Sequence, residues 1–97
     1  MGLSVYRRNQ VHDQVYLDDS TGRYLTEVLA HVRPDSLLHT VALHADTMFN
    51  TVQLRRAGEE LEEIAGRKPE LAFEVAHLRA LFESIERERG YLWINGD

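Results

Sequence analysis

The sequence predicts a single two-layer α+β domain in which a small sheet packs on three to four helices. Short segments near both ends of the chain alternate apolar and polar residues, which is typical of strands with one buried face. Between them, long segments repeat apolar residues at helical spacing. We therefore expect the order β-β-α-(α)-α-α-β, with an N-terminal hairpin and a C-terminal strand forming an antiparallel or mixed sheet.

The N-terminal segment predicts a β-hairpin. Residues 3–8 begin with Leu3 and Val5 alternating with Ser4 and Tyr6, and residues 14–17 repeat this period of two. The polar residues 9–13 between them suit a turn, so the two segments should pair with each other.

The next segment predicts a first helix from about Thr21 to Val32. Residues 18–21 offer several side chains that can cap a helix N-terminus, and apolar residues then recur at helical spacing. Pro34 disfavours continuation of that helix. Residues 36–45 suit either a short helix or a buried strand, and Ser36 favours the helix.

Two strongly amphipathic helices follow. Asn50 and Gln53 have the spacing of a capping box, and the helix they begin should end near Gly66. Pro69 suits the first turn of the last helix, and Gly90 should terminate it. The buried residues of that last helix are predicted to be Leu71, Val75, Leu78, Phe82 and Ile85.

Length and composition limit the classes of protein and partner. At 97 residues, the chain is expected to form one domain over residues 1–97. It contains no cysteine, and no segment approaches the ~20 apolar residues that span a bilayer, so a cytoplasmic location is expected. Eleven basic residues against sixteen acidic ones give a net charge of −5, which disfavours nucleic acid and membranes as partners. Ten of the eleven basic residues are arginine, which indicates a GC-rich bacterial genome.

No sequence motif indicates catalysis or a cofactor. The four serines lack the context of a nucleophile elbow, and no glycine-rich loop follows a predicted strand. Among the five histidines, His39 and His44 are five residues apart, a spacing that brings them together on neither a helix nor a strand. We therefore expect no metal site and no cofactor, and we favour a non-enzymatic protein while leaving an enzyme as the alternative.

The segment from Asp46 to Gln53 is the first candidate site. Asp46, Thr47, Asn50 and Gln53 could form a small polar-ligand site at a helix N-terminus, where free backbone N–H groups favour an anionic or polar group. The simpler alternative is a capped helix start with Phe49 packed as its hydrophobic anchor.

The second candidate is an aromatic face of the sheet. If the other strand residues face the helices, then Tyr6, Tyr16, Tyr91 and Trp93 gather on the opposite face with Arg8 nearby. The residues expected to face the helices are Leu3, Val5, Val15, Leu17, Leu92 and Ile94. An aromatic patch of this kind suits a protein interface, whereas a helix crossing over it would make it a second core.

Two segments of this chain show a resemblance to other proteins. The chain is similar to a loose group of short, uncharacterised bacterial proteins that combine a D-T-x-F-N-x-x-Q helix start with a Y-L-x-I-x-G-D ending. The matching residues here are Asp46, Thr47, Phe49, Asn50 and Gln53, followed by Tyr91, Leu92, Ile94, Gly96 and Asp97. The resemblance implies no activity and transfers no catalytic residue.

These observations favour a protein-interaction domain, such as an adaptor, inhibitor or immunity-type partner. It would act through the aromatic face or through the acidic helix surface around Glu59 to Glu63, and a homodimer joined by its aromatic faces is a further alternative. The competing class is a small ligand-binding or enzymatic domain that uses the Asp46–Gln53 segment. For that class, the sequence does not specify the small molecule.

Overall fold

The computed structural model describes residues 3–11, 13–41 and 45–96, and it has the predicted α+β class. Four strands form one antiparallel sheet: β1 (Leu3–Arg8), β2 (Gln14–Tyr16), β3 (Thr47–Phe49) and β4 (Tyr91–Gly96). Three helices accompany it: α1 (Asp19–Leu29), α2 (Thr51–Arg67) and α3 (Ala72–Arg87). Single 3₁₀ turns lie at Leu38–Thr40 and Pro69–Leu71.

The strands lie in the order β2-β1-β4-β3. The N-terminal hairpin and its pairing with the C-terminal strand are confirmed, because β1 pairs with both β2 and β4. Strand β3 was not predicted, since its three residues lie in the segment that we assigned to the start of a helix. Three residues are too few to establish a period of two in the sequence.

The helices form one layer in which α3 lies between α1 and α2. Helix α1 packs on β1, α3 packs on β4, and α2 packs on β3. Buried apolar side chains from both layers make one core, in which Phe49 of β3 and Phe82 of α3 are each 1% exposed. The fold therefore has two layers, with the core between sheet and helices.

Helix α1 begins earlier and ends earlier than predicted. The Asp18 side chain accepts a hydrogen bond from the Thr21 backbone N–H at 3.2 Å, so the helix begins at Asp19 and not at Thr21. Hydrogen bonds from the hydroxyl of Ser20 and from Thr21 lower the pKa of the Asp18 carboxyl. The helix ends at Leu29 because the following N–H groups bond three residues back in tighter turns.

Two glycines allow close approaches to the backbone of β1. A Cβ atom on Gly22 would lie 2.1 Å from the Leu3 carbonyl oxygen, so α1 can approach β1 only at a glycine. We expected Gly90 to end α3, but the positive φ of 55° belongs to Arg89. Gly90 instead passes the Arg8 carbonyl oxygen, which a Cβ atom would approach to 2.6 Å.

The capping box at the start of α2 is confirmed. The Asn50 side chain accepts from the Gln53 N–H, and the Gln53 side chain accepts from the Asn50 N–H, both at 2.9 Å. The helix ends at Arg67, one residue beyond Gly66, in agreement with the predicted end near Gly66. Pro69 follows two residues later and opens the 3₁₀ turn that leads into α3.

Of the short helix favoured within residues 36–45, the described residues 36–41 and 45 form one 3₁₀ turn, at Leu38–Thr40. The carboxylate of Glu60 on α2 holds this turn, since it accepts from the backbone N–H groups of Leu37 at 2.8 Å and Leu38 at 2.9 Å. Residues 42–44, with His44, lie outside the described residues. Over the described ranges, no helix is long and apolar enough to cross a membrane.

Candidate interaction surface

The sheet has one face covered by helices and one open face. Alternate residues of β1 and β4 are buried on the helix side, and their neighbours along each strand are only half-buried. On the open face, Tyr16 of β2 is 48% exposed and Met48 of β3 is 47% exposed. Across residues 3–11, 13–41 and 45–96, all three helices pack on the other face, so none of them makes the aromatic face a second core.

Four side chains cross the open face in one line, which we call the aromatic row: Tyr16, Tyr6, Trp93 and Met48. Each is directly opposite the next on the neighbouring strand. The Tyr16 and Tyr6 ring centroids are 5.3 Å apart with planes at 62°, and the Tyr6 and Trp93 centroids are 6.1 Å apart with planes at 47°. The rings therefore contact one another edge-to-face or tilted rather than in a flat stack.

Arg8 and Tyr91 lie in the next rung of the sheet, opposite each other on β1 and β4. The Arg8 guanidinium carbon is 4.4 Å from the centroid of the Trp93 ring, a cation–π distance. Its Nη2 donates to the side-chain oxygen of Gln14 at 2.9 Å. Arg8 thus contacts one face of Trp93 and is itself held by β2. The five predicted interaction residues are brought together, with Tyr91 beside the row rather than within it.

The β2 end of the row carries negative charge. The Tyr16 hydroxyl donates to the carboxylate of Asp19, and this hydrogen bond raises the pKa of the Tyr16 phenol. Both Asp19 and its neighbour Asp18 are exposed to solvent. The row is therefore bordered by carboxylates beside Tyr16 and by the Arg8 guanidinium beside Trp93.

Two residues differ from the expected arrangement of the sheet. Val15 was expected to be buried against the helices, but it is 56% exposed because β2 is an edge strand beyond the helix layer. Met48 was not predicted as part of the open face, because β3 itself was not predicted. Its neighbours Thr47 and Phe49 pair with buried residues of β4, which places Met48 on the opposite, open face.

The structure separates the predicted ligand-binding residues. Asn50 and Gln53 use their side-chain oxygens on each other's backbone N–H groups in the capping box. Thr47 is half-buried in β3 opposite Ile94, which places it on the helix side of the sheet, and Asp46 is exposed. The alternative of a capped helix start anchored by Phe49 matches this arrangement.

Asn50 does border a polar cavity of about 380 Å³. This cavity contains none of Asp46, Thr47 or Gln53. Its lining residues are Gln10, Asn50, Thr51, Arg55, Glu86, Arg89, Gly90 and Tyr91. Within it, Arg55 Nε lies 3.4 Å from a carboxylate oxygen of Glu86, so part of its charge is already paired.

The acidic surface of α2 is largely bound to other parts of the chain. Glu60 caps the 3₁₀ turn, and Glu62 pairs with Arg79 of α3. Glu63 contacts Arg33 at 3.0 Å and Arg67 at 2.5 Å, and these two guanidinium groups lower its pKa to about 2. These carboxylates therefore tie α2 to its neighbours, which makes this surface a weaker candidate for binding a partner.

His77 makes packing contacts with α1. The His77 ring lies 4.9 Å from the Tyr24 ring, and its Nε2 is 3.4 Å from the Thr21 hydroxyl. In the part of the chain that the structure describes, no three His, Cys, Asp or Glu side chains are arranged to hold a metal ion. His12 and His44 lie outside that part.

No protein-family profile, curated protein or solved structure matches this chain. The surface therefore has to be interpreted from its own geometry.

Proposed function

We propose that this protein is a non-catalytic interaction domain, of the adaptor, inhibitor or immunity type, that binds another protein through the aromatic row. The main observation in support of this proposal is the continuous line of Tyr16, Tyr6, Trp93 and Met48 across the open face of the sheet. Tyr, Trp and Arg are the residues most enriched where truncation costs most binding energy, and Met is also enriched in interfaces.

The row is organised before any partner binds, which supports this role. Trp93 is held between the Tyr6 ring and the Arg8 guanidinium, and Arg8 is held in turn by Gln14. Ordering a flexible side chain at an interface costs about 0.5–1.5 kcal/mol, so side chains that are already ordered retain more of their contact energy as affinity.

The small size of the face favours a short segment of a partner over a flat contact between two globular domains, including two copies of this chain. With about 3.4 Å per residue and about 4.8 Å between strands, the four strands cover only roughly 300 Å² of sheet plane. Two copies meeting there would bury less than the roughly 1,200 Å² at which stable interfaces begin. We therefore expect a monomer in solution, and light scattering over a concentration series tests this; a dimer that Trp93→Glu dissociates would contradict it.

Site-specific photo-crosslinking in cells of the source organism tests the proposed surface. Benzoylphenylalanine is placed at Tyr16 in the row or, as a matched control, at Phe73, an aromatic residue of α3 that is 66% exposed. We expect one protein to crosslink to position 16 and not to position 73. The crosslinked product should be lost when Trp93→Glu is also introduced.

The crosslinked protein is then purified and its Kd measured directly. Trp93→Glu should weaken binding by about a hundredfold or more, because it places a charge in a desolvated aromatic contact. Phe73→Ser should leave the Kd unchanged. Equal crosslinking from positions 16 and 73, or a Kd that Trp93→Glu does not alter, would refute the proposal.

The cytoplasmic location expected from the composition belongs to this proposal. The lack of cysteine supports it, because interaction domains of oxidising compartments commonly use disulfides at this size.

The alternative of a polar-ligand domain rests on the cavity beside Asn50. It is less well supported, because the capping box already uses the side-chain oxygens of Asn50 and Gln53. Thermal shift against panels of metabolites tests it. A ligand that raises the melting temperature of the wild type and not that of Arg55→Ala would favour the cavity over the aromatic row.

A further inference from the structure

Resting on the proposed function, we infer that the partner presents a proline-rich segment in the polyproline II conformation. A basic residue of this segment lies at the end of the row formed by β2. Three features of the open face lead to this ligand: the spacing of its rings, its small area and its charge distribution.

The spacing of the rings matches this ligand. A polyproline II helix has three residues per turn and rises about 9 Å in one turn. The row has a comparable length, with successive centroid separations of 5.3 Å between Tyr16 and Tyr6 and 6.1 Å between Tyr6 and Trp93. The inclined rings contact one another, so successive pyrrolidine rings would pack on the outer surface of the row. Aromatic surfaces of this kind are a general means of binding proline-rich segments.

The area of the face suits a short segment. Proline-rich segments are already extended before binding and lose little conformational entropy, so a small contact can still give measurable affinity. Their backbone carbonyls remain free to accept hydrogen bonds. Ser4 and Asn95 form the polar rung on one side of the row, and Gln14 and Arg8 lie in the rung on the other side, so donors flank the aromatic rings.

The charges of the face orient the ligand. Asp18 and Asp19 are exposed at the β2 end, and Asp19 accepts the hydroxyl hydrogen bond of Tyr16. Arg8 of β1 places its guanidinium against Trp93, beside the middle of the row, and also donates to Gln14 of β2. The carboxylates therefore attract a basic residue of the segment to the β2 end, and the Arg8 guanidinium disfavours its binding beside the middle of the row.

The same rings could stack the bases of a single-stranded RNA. The charges favour the peptide, because phosphates would meet the carboxylates at the β2 end and a chain with a net charge of −5. An RNA is therefore included as a competing ligand in the experiment.

Fluorescence titration of the purified chain tests the inference, since Trp93 is its one tryptophan and lies within the row. The probe is a synthetic peptide of two arginines followed by eight prolines. A peptide of two arginines followed by eight alternating glycines and serines has the same charge but does not adopt the polyproline II conformation. A uridine octamer is tested as the competing RNA ligand. We expect saturable binding of the proline peptide, with the glycine–serine peptide and the RNA weaker by about tenfold or more.

Variants locate the bound peptide. Tyr16→Ala should weaken binding by about tenfold, because it removes one ring of the row. Asp19→Asn keeps a hydrogen-bond acceptor for Tyr16 and removes the charge. It should therefore weaken binding of the arginine-tagged peptide about threefold and leave the binding of an untagged proline peptide unchanged. Phe73→Ala is the control and should have no effect. NMR shift mapping on the wild type gives the same location without any substitution.

The outcomes separate this inference from the proposed function. If position 16 still crosslinks one protein in a Trp93-dependent way but no proline peptide binds, the inference is overturned and the proposed function stands. Tighter binding of the uridine octamer, equal binding of the glycine–serine peptide, or NMR shifts centred on the helices would also overturn it. If both the peptides and the crosslinking fail, both proposals are wrong.

Discussion

Replacing Gly22 by alanine should destabilise the fold, although the same change in an exposed helix ordinarily stabilises a protein. Gly22 lies within α1, where alanine is intrinsically more favourable than glycine by about 0.5–1 kcal/mol. The new Cβ would lie 2.1 Å from the Leu3 carbonyl oxygen of β1, whereas Cβ atoms rarely come closer than 3.0 Å to such a neighbour. The helix would therefore have to move away from the strand by roughly 1 Å.

The magnitude follows from these two opposing effects. Inserting an atom into a packed site costs about 1–3 kcal/mol, and the upper part of that range applies because the clashing atom is backbone and cannot rotate away. After subtracting the gain in helix propensity, we expect Gly22→Ala to lower the free energy of unfolding by about 2 kcal/mol. For a domain of this size, that loss lowers the melting temperature by about 8–16 °C.

Gly66→Ala is the matched control. Gly66 lies inside α2, and no atom outside its own helix and chain neighbours lies within 4 Å of the position that its Cβ would take. Only the propensity gain remains, so this variant should be more stable by about 0.5–1 kcal/mol and melt about 2–8 °C higher.

Urea unfolding followed by circular dichroism measures both free energies under the same conditions. The two variants should differ in sign, with Gly22→Ala below the wild type and Gly66→Ala above it. A Gly22→Ala protein as stable as the wild type would refute the close contact of α1 with β1.

Three further predictions concern α2 and the aromatic row. Asn50→Ala removes one half of the capping box and should cost about 1 kcal/mol in urea unfolding, while an Asn50→Asp variant that keeps the acceptor should cost less. Because Arg67 and Arg33 hold the pKa of Glu63 at about 2 against its usual 4.5, the contribution of these ion pairs is complete above about pH 4.5 and is lost as the pH falls toward 2. NMR titration of the Glu63 carboxyl should give that low pKa, and Glu63→Gln should flatten the acid limb of the stability curve; a midpoint near 4.5 would contradict the ion pairs. Trp93→Glu should keep the circular dichroism spectrum of the wild type, because Trp93 lies on the open face, whereas an unfolded variant would place Trp93 in the core.

Local patterns in the chain were sufficient to predict most of the helices and strands. The alternation of Leu3 and Val5, the capping box of Asn50 and Gln53, and the apolar spacing of the last helix each depend on residues at most a few positions apart. Such interactions act within one element, so they can be recognised without knowing where that element packs. The same alternation placed the tyrosines of the strands and Trp93 on the face opposite Leu3 and Val5, but it left open whether a helix covers that face.

The sequence by itself therefore determined the α+β class, the segments that form β1, β2 and β4, and the aromatic content of one sheet face. Only the tertiary structure decided the order β2-β1-β4-β3, the addition of β3 with Met48 at the edge, and the absence of any described helix over the open face. It also showed that Gly22 and Gly90 both lie close to the backbone of β1. The physical reason is that strand pairing and contacts between layers join residues far apart in the chain. They cannot be recognised from a repeat of apolar residues at neighbouring positions.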